Sequence, residues 1–314
     1  MIDFRYHIVS LVAVFLALAL GLFLGSTTLQ STVTHNLRQQ AHSVIARNET
    51  LQAENDAANA KLQGQESFAT SVEPYAVAGK LVNAEVAVVS APGVDSDARD
   101  RLVETLKSAG ASITADVRLQ NGFLDPSQDA TWAQLAAQVA GNHPLPRANG
   151  ASQASSELAR VLVNRPAARL ASARRIETVL GTFGDGKMIS ISGEAPVRSA
   201  DLAVLLVPLE SAPENSTVAV ARNNDLIAMA RALRRGSSGL VVAGPSTTDS
   251  TNGGVLATMR ADSTLSKSVS TVDADETAVG RVAIALALAA APGGNAGRYG
   301  LAQSPPLPVQ SPAP

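Results

Sequence analysis

Gly181, Gly186 and Lys187 stand in GxxxxGK spacing, the pattern in which backbone amides cradle a phosphate and a lysine reaches it. Met188, however, occupies the place where a serine or threonine must ligate magnesium. The segment also follows an expected helix and enters an expected strand, the reverse of a phosphate loop, so a glycine C-cap and turn is the better reading. Hydrolytic chemistry fares no better. No G-x-S-x-G elbow is present, and of His7, His35, His42 and His143 only His143 lies beyond the N-terminal third, in an apparent loop between Asn142 and Pro144. The acidic groups Asp95, Asp97 and Asp100, and Asp273, Asp275 and Glu276, precede expected helices, where they suit capping and the helix dipole. Soft copper sites are built from Cys, Met and His at short spacing. Here there is no cysteine, and Met188, Met229 and Met259 are far apart, as core-packing methionines would be. The chemistry-bearing residues therefore predict no catalytic, cofactor or metal site.

The 314 residues are 46% apolar and 17% charged with a net charge of -2, enough to bury a core and too apolar for a wholly disordered chain. Twenty-five basic against 27 acidic side chains leave no cation excess for nucleic acid.

From Ile8 to Leu24 every residue is apolar or small apart from Ser10, and no charged side chain stands between Arg5 and Arg38. At 1.5 Å per residue, with uncharged flanks, this run reaches the roughly 30 Å hydrocarbon thickness. Residues 8–26 are expected to span the inner (plasma) membrane once, as a retained anchor, with a cleaved signal peptide as the alternative. The charge asymmetry puts residues 1–7 in the cytoplasm and the bulk of the chain on the far, periplasmic side. Ala13, Ala17, Gly21 and Gly25 follow at i, i+4, a stripe of small side chains along which two spans can approach closely. A merely Ala/Gly-rich helix accounts for it equally.

Residues 27–67 read as a coiled-coil stalk. Leu37, Val44, Leu51 and Ala58 repeat every seven residues, with Ala41, Asn48, Asn55 and Leu62 as companions. The asparagines weaken the seam but fix register. A parallel homodimer is the simplest assembly, and a helix folded back on the globular part is the rival. His35 and His42 share a face seven apart, a spacing that suits solvated side chains better than chelation.

Beyond Pro74 and Gly79, the pattern alternates strand and helix. Expected strands are 85–90, 112–117, 187–191, 202–207, 239–243 and 269–272; expected helices are 95–108, 127–139, 154–180, 223–235 and 278–290. Residues 141–155 read as a long loop. The fold class is α/β, a mostly parallel sheet flanked by helices in one domain over 80–291, with 292–314 a disordered Pro-rich tail.

His7, Val9-Ser10-Leu11, Ala13 to Ala19, Gly21 and Leu24-Gly25-Ser26 resemble the opening of the actinobacterial MctB/SteB-type family. Gly79-Lys80, Ser270-Thr271-Val272-Asp273, Gly280-Arg281 and Gly297-Arg298-Tyr299-Gly300 support the same resemblance. It implies one of two roles. SteB-like members are linked to cell separation, partnering the membrane protein SteA and influencing a peptidoglycan hydrolase. MctB-like members are copper-transport, pore-forming envelope proteins. With no soft-ligand cluster in view, the expectation placed first is a non-enzymatic scaffold that regulates peptidoglycan hydrolysis by contact, with copper transport second.

Overall fold

The computed structural model describes residues 4–165, 171–193, 196–208, 216–246, 254–301, 303, 305, 307 and 308, except for the side chains of Arg5 and residues 26–38. Leu37 and His35 thus fall outside the described side chains. The chain divides into two units, Met1–Gln65 and Glu66–Pro314. The first is helical throughout its described length, belonging to α1 (Phe4–Val77), and none of its described side chains is buried. Tyr6–Gly25 is long and apolar enough to cross a membrane.

The second unit opens on the last turns of α1, which run on to Val77 and do not end near residue 67. Pro74 lies inside the helix, in its final turn, where it offers no N–H to the carbonyl of Thr70. There follow β1 (Glu85–Ser90), α2 (Ser96–Ser108), β2 (Ser112–Leu119), α3 (Asp129–Ala140), α4 (Gly150–Leu162), α5 (Ala173–Asp185), β3 (Ile189–Ile191), β4 (Leu202–Leu206), α6 (Thr217–Gly236), β5 (Gly239–Gly244), α7 (Val255–Ala261), β6 (Ser270–Asp273), α8 (Ala278–Ala290) and β7 (Arg298–Tyr299).

The strands form one sheet in the order β3-β2-β1-β4-β5-β6-β7, all parallel except β3, which runs antiparallel to β2. Alternation along each strand feeds two cores. Val86, Val88, Leu202 and Val204 meet Leu102 and Leu106 of α2, Ile284 and Leu288 of α8 and Val77 of α1. Ala87, Val89, Ala203 and Leu205 face Trp132, Leu158, Phe183 and Leu233 from α3, α4, α5 and α6. Such a two-faced sheet needs strands apolar on both sides, as the run Val86-Ala87-Val88-Val89 is.

Three expectations are corrected. The stretch 154–180 is two helices, not one, because α4 stops at Leu162 and Val163 bridges to Ala200. The loop expected over 141–155 ends early, since Asn149 caps α4 by accepting from Ser152 N at 3.1 Å. Gly150 lets that helix start against α3, where any Cβ would overlap the carbonyl oxygen of Asp129. Residues 298–299, placed in the disordered tail, form β7 on β6. Of the tail's prolines, Pro306, Pro312 and Pro314 lie outside the described residues.

Candidate functional site

The phosphate-loop lookalike is a helix end and a turn. α5 ends at Asp185, Gly186 caps it, Lys187 takes a positive φ of 57°, and Met188 is buried in the core. His143 is exposed, and Met188, Met229 and Met259 are all buried. Among the described residues no three of His, Asp and Glu come together so as to hold a metal ion.

Two polar hubs organise the globular unit. In the first, Glu73 of α1 takes both ends of the Arg281 fork, at 2.9 Å from Nε and 2.6 Å from Nη2. The Thr105 hydroxyl also donates to Glu73. Arg281 Nη1 reaches the Glu276 carbonyl at 3.1 Å. One turn pair earlier, Glu66 accepts from the Ala278 backbone N–H at 2.8 Å, and the Thr277 hydroxyl accepts from Gly280 N at 3.1 Å, so two side chains satisfy the exposed amides that start α8. Glu73 and Arg281 are 6% and 3% exposed, hence desolvated, and such a pair is retained only where each member is fully bonded. A cleft of about 320 Å³ opens beside it, lined by Thr70, Pro74, Arg101, Glu104 and Ser108.

The second hub sits at the carboxyl end of β6. Arg260 of α7 donates to the Thr271 hydroxyl at 2.8 Å and to Asp273 at 3.2 Å, and Gln303 donates to Asp273 at 3.3 Å. Beside it Ala274 adopts φ 63° and Asp275 N bonds the Gly244 carbonyl at 3.2 Å. Burial pushes the Asp275 carboxyl up to about 7, and the neighbouring Glu276 charge adds to the effect. Glu276 in turn accepts from the Ser246 hydroxyl at 2.8 Å.

Asp95 caps α2 as expected, accepting from Asp97 N at 2.7 Å and Ala98 N at 3.1 Å, whereas Asp100 pairs with Arg99. The capping expectation for Asp273, Asp275 and Glu276 is corrected. Thr277 is the cap of α8, Asp273 is an ion-pair partner inside β6, and Asp275 is a buried acid. The sequence pointed to neither Glu66 nor Glu73, and to Arg281 only as part of the Gly280-Arg281 motif. A lone arginine in the apolar run of α8, and two glutamates seven apart in α1, were the available signals.

Three of the short motifs that suggested a family, at 270–273, 280–281 and 297–300, prove to be parts of these hubs. Gly280 permits α8 to begin against the Ala274 carbonyl, which any Cβ would overlap, and Gly300, at φ 120°, leaves room for Asp273. Gly280→Ala is therefore expected to destabilise the unit by about 1–3 kcal/mol, the usual cost of overpacking, read as a lowered urea midpoint at unchanged slope.

In the first unit, Ala13, Ala17 and Gly21 are exposed and Gly25 is half-buried, and apart from the adjoining residues and the helix's own backbone no described atom lies within 4 Å of a Cβ built at either glycine. Ala41, Val44, Leu51, Ala58 and Leu62 are exposed as well, and the side chain of Leu37 is not described.

Residues 1–307 match the family described as "Copper transport outer membrane protein, MctB". "Copper transporter MctB" of Mycobacterium tuberculosis (strain ATCC 25618 / H37Rv) and that of Mycobacterium bovis are each 29% identical to this chain over 313 residues, covering 96% of both chains. The protein of the same name from Mycobacterium leprae is 28% identical over 317 residues, with the same coverage. These descriptions reverse the order in which the two roles were expected, since copper transport is named and cell separation is not. Matched over residues 1–307, and carrying the apolar helix and motif residues that build the two hubs, the chain is a membrane-associated member of the MctB family.

Proposed function

We propose that the protein takes part in moving copper across the cell envelope, as a single-span, non-enzymatic membrane protein with its N-terminus in the cytoplasm and its α/β unit on the far side. The carrying observation is the match over nearly the whole chain to relatives named for copper transport. The absence of charge between Arg5 and Arg38 supports the orientation. One apolar helix cannot enclose a polar path, so transport through this protein requires copies or partners around it. The Ala13, Ala17, Gly21 and Gly25 stripe and the seven-residue repeat at Ala41, Val44, Leu51, Ala58 and Leu62 suit a parallel homodimer as the first step of that assembly. Copper is cargo in this reading. It passes transiently, and the α/β unit serves to position and assemble.

Deleting the protein is expected to raise cell-associated copper, measured by mass spectrometry, and to lower the copper concentration that stops growth, with both restored by the intact gene. Normal copper content together with chained, unseparated cells would overturn the proposal in favour of contact-mediated control of peptidoglycan cleavage.

A further inference from the structure

We infer that the uncharged face formed by Phe68, Val72 and Tyr75 at the end of α1 seats a second copy of this chain, carrying the homodimer contact into the globular unit. The inference rests on the homodimer reading above and locates where that contact continues.

The last turns of α1 have two unlike faces. One is consumed by the fold. Glu66 and Glu73 bond α8, Val77 is fully buried, and Ala69 and Ala76 are half-buried. The other carries Phe68 at 72% exposure, Val72 at 40% and Tyr75 at 83%. Between Ser67 and Gly79 no exposed residue is charged. Large aromatics on a charge-free patch are the composition of an interface core, and soluble surfaces rarely leave such patches open.

The occupant follows from the repeat. Val44, Leu51 and Ala58 continue at the same seven-residue interval through Gln65 to Val72. Phe68 and Tyr75 are likewise seven apart and flank that column. In a parallel two-stranded pair each seam residue meets its own counterpart, so pairing through Val44 and Leu51 delivers Val72 to Val72. The companion column reaches Ala69 and Ala76, which the globular unit has half covered. Both columns share one seam, so with Ala69 and Ala76 half covered the contact at this level falls on Val72 and on Phe68 and Tyr75 beside it. A lipid surface fits less well, because interfacial helices carry basic residues along their rim and none occurs between Lys61 and Lys80.

The chain has no cysteine, which makes single-cysteine crosslinking clean. Full-length Val72→Cys, Leu51→Cys and Glu177→Cys proteins in native membranes would each be treated with a short bismaleimide. The expected result is a band at twice the 32.2 kDa chain mass for Val72→Cys, as complete as for Leu51→Cys, and none for Glu177→Cys, which is exposed on α5 in the opposite layer. Crosslinking at Leu51→Cys without Val72→Cys would overturn this inference and leave the stalk dimer standing. Crosslinking at neither position would remove the dimer reading with it. A Val72→Cys adduct of another mass would assign the face to a different partner and overturn the inference. The copper measurements above are independent of all three outcomes.

Discussion

Glu73→Ala is expected to destabilise the globular unit by about 3–5 kcal/mol, the cost of leaving one member of a buried ion pair without its partner. Arg281 is 3% exposed and aims two nitrogens at Glu73, so removing the carboxylate strands a desolvated guanidinium beside the apolar wall of α8. The Thr105 hydroxyl loses the same acceptor. Replacing both charges by methionine is expected to cost far less, because the pair's attraction is largely offset by its desolvation. Urea unfolding of the two single variants and the double variant gives the coupling directly. A Glu73→Ala loss below about 1 kcal/mol would mean that water reaches Arg281 and that the end of α1 is not held by this pair.

The second large effect concerns pH. Asp275 has its carboxyl raised from 3.8 to about 7, first by burial and then by the charge of Glu276. A carboxyl that holds its proton more tightly folded than unfolded makes the folded state the greater proton binder between those two values. Its stabilising contribution is therefore complete below about pH 4 and lost as pH rises through 7. Asp275→Asn, permanently neutral, is expected to leave stability at pH 4 nearly unchanged and to raise it above pH 7 by on the order of 3–4 kcal/mol. Melting temperatures of the two proteins from pH 4 to 8 test this. Curves that run parallel would show that Asp275 is hydrated and ionised in the folded protein.

The strands were the most legible part of the sequence. Glu85–Ser90 and the helix Ala278–Ala290 fall where the pattern puts them, because strands buried on both faces are continuous apolar runs and α8 is apolar along most of its length. Boundaries set by tertiary contact were not legible. Nothing local indicates that Val163 must leave α4 to bridge Ala200, or that Arg298 and Tyr299 add a strand to β6. α7 is seven residues long with no side-chain cap, too short for a periodic signal. The acidic run before α8 illustrates the same limit. Asp273, Asp275 and Glu276 have the local look of N-terminal caps, yet Asp273 is claimed by Arg260, 13 positions away, and Thr277 does the capping. Asp95 was legible because its partners are its next neighbours in the chain. The Glu73 and Arg281 pair joins positions 208 apart, and of the two only Arg281 stood out beforehand, as part of the Gly280-Arg281 motif.

The outermost strands of the sheet are its shortest, three residues in β3 and two in β7. Unpaired amide and carbonyl groups along an open strand are what recruits a foreign strand into a growing fibre, and here each border offers only a few. In the proposed homodimer, copies held side by side on a membrane would sit at high local concentration, where strand-to-strand polymerisation would be fastest. Truncated borders would let such an assembly form through its helices without the sheets fusing.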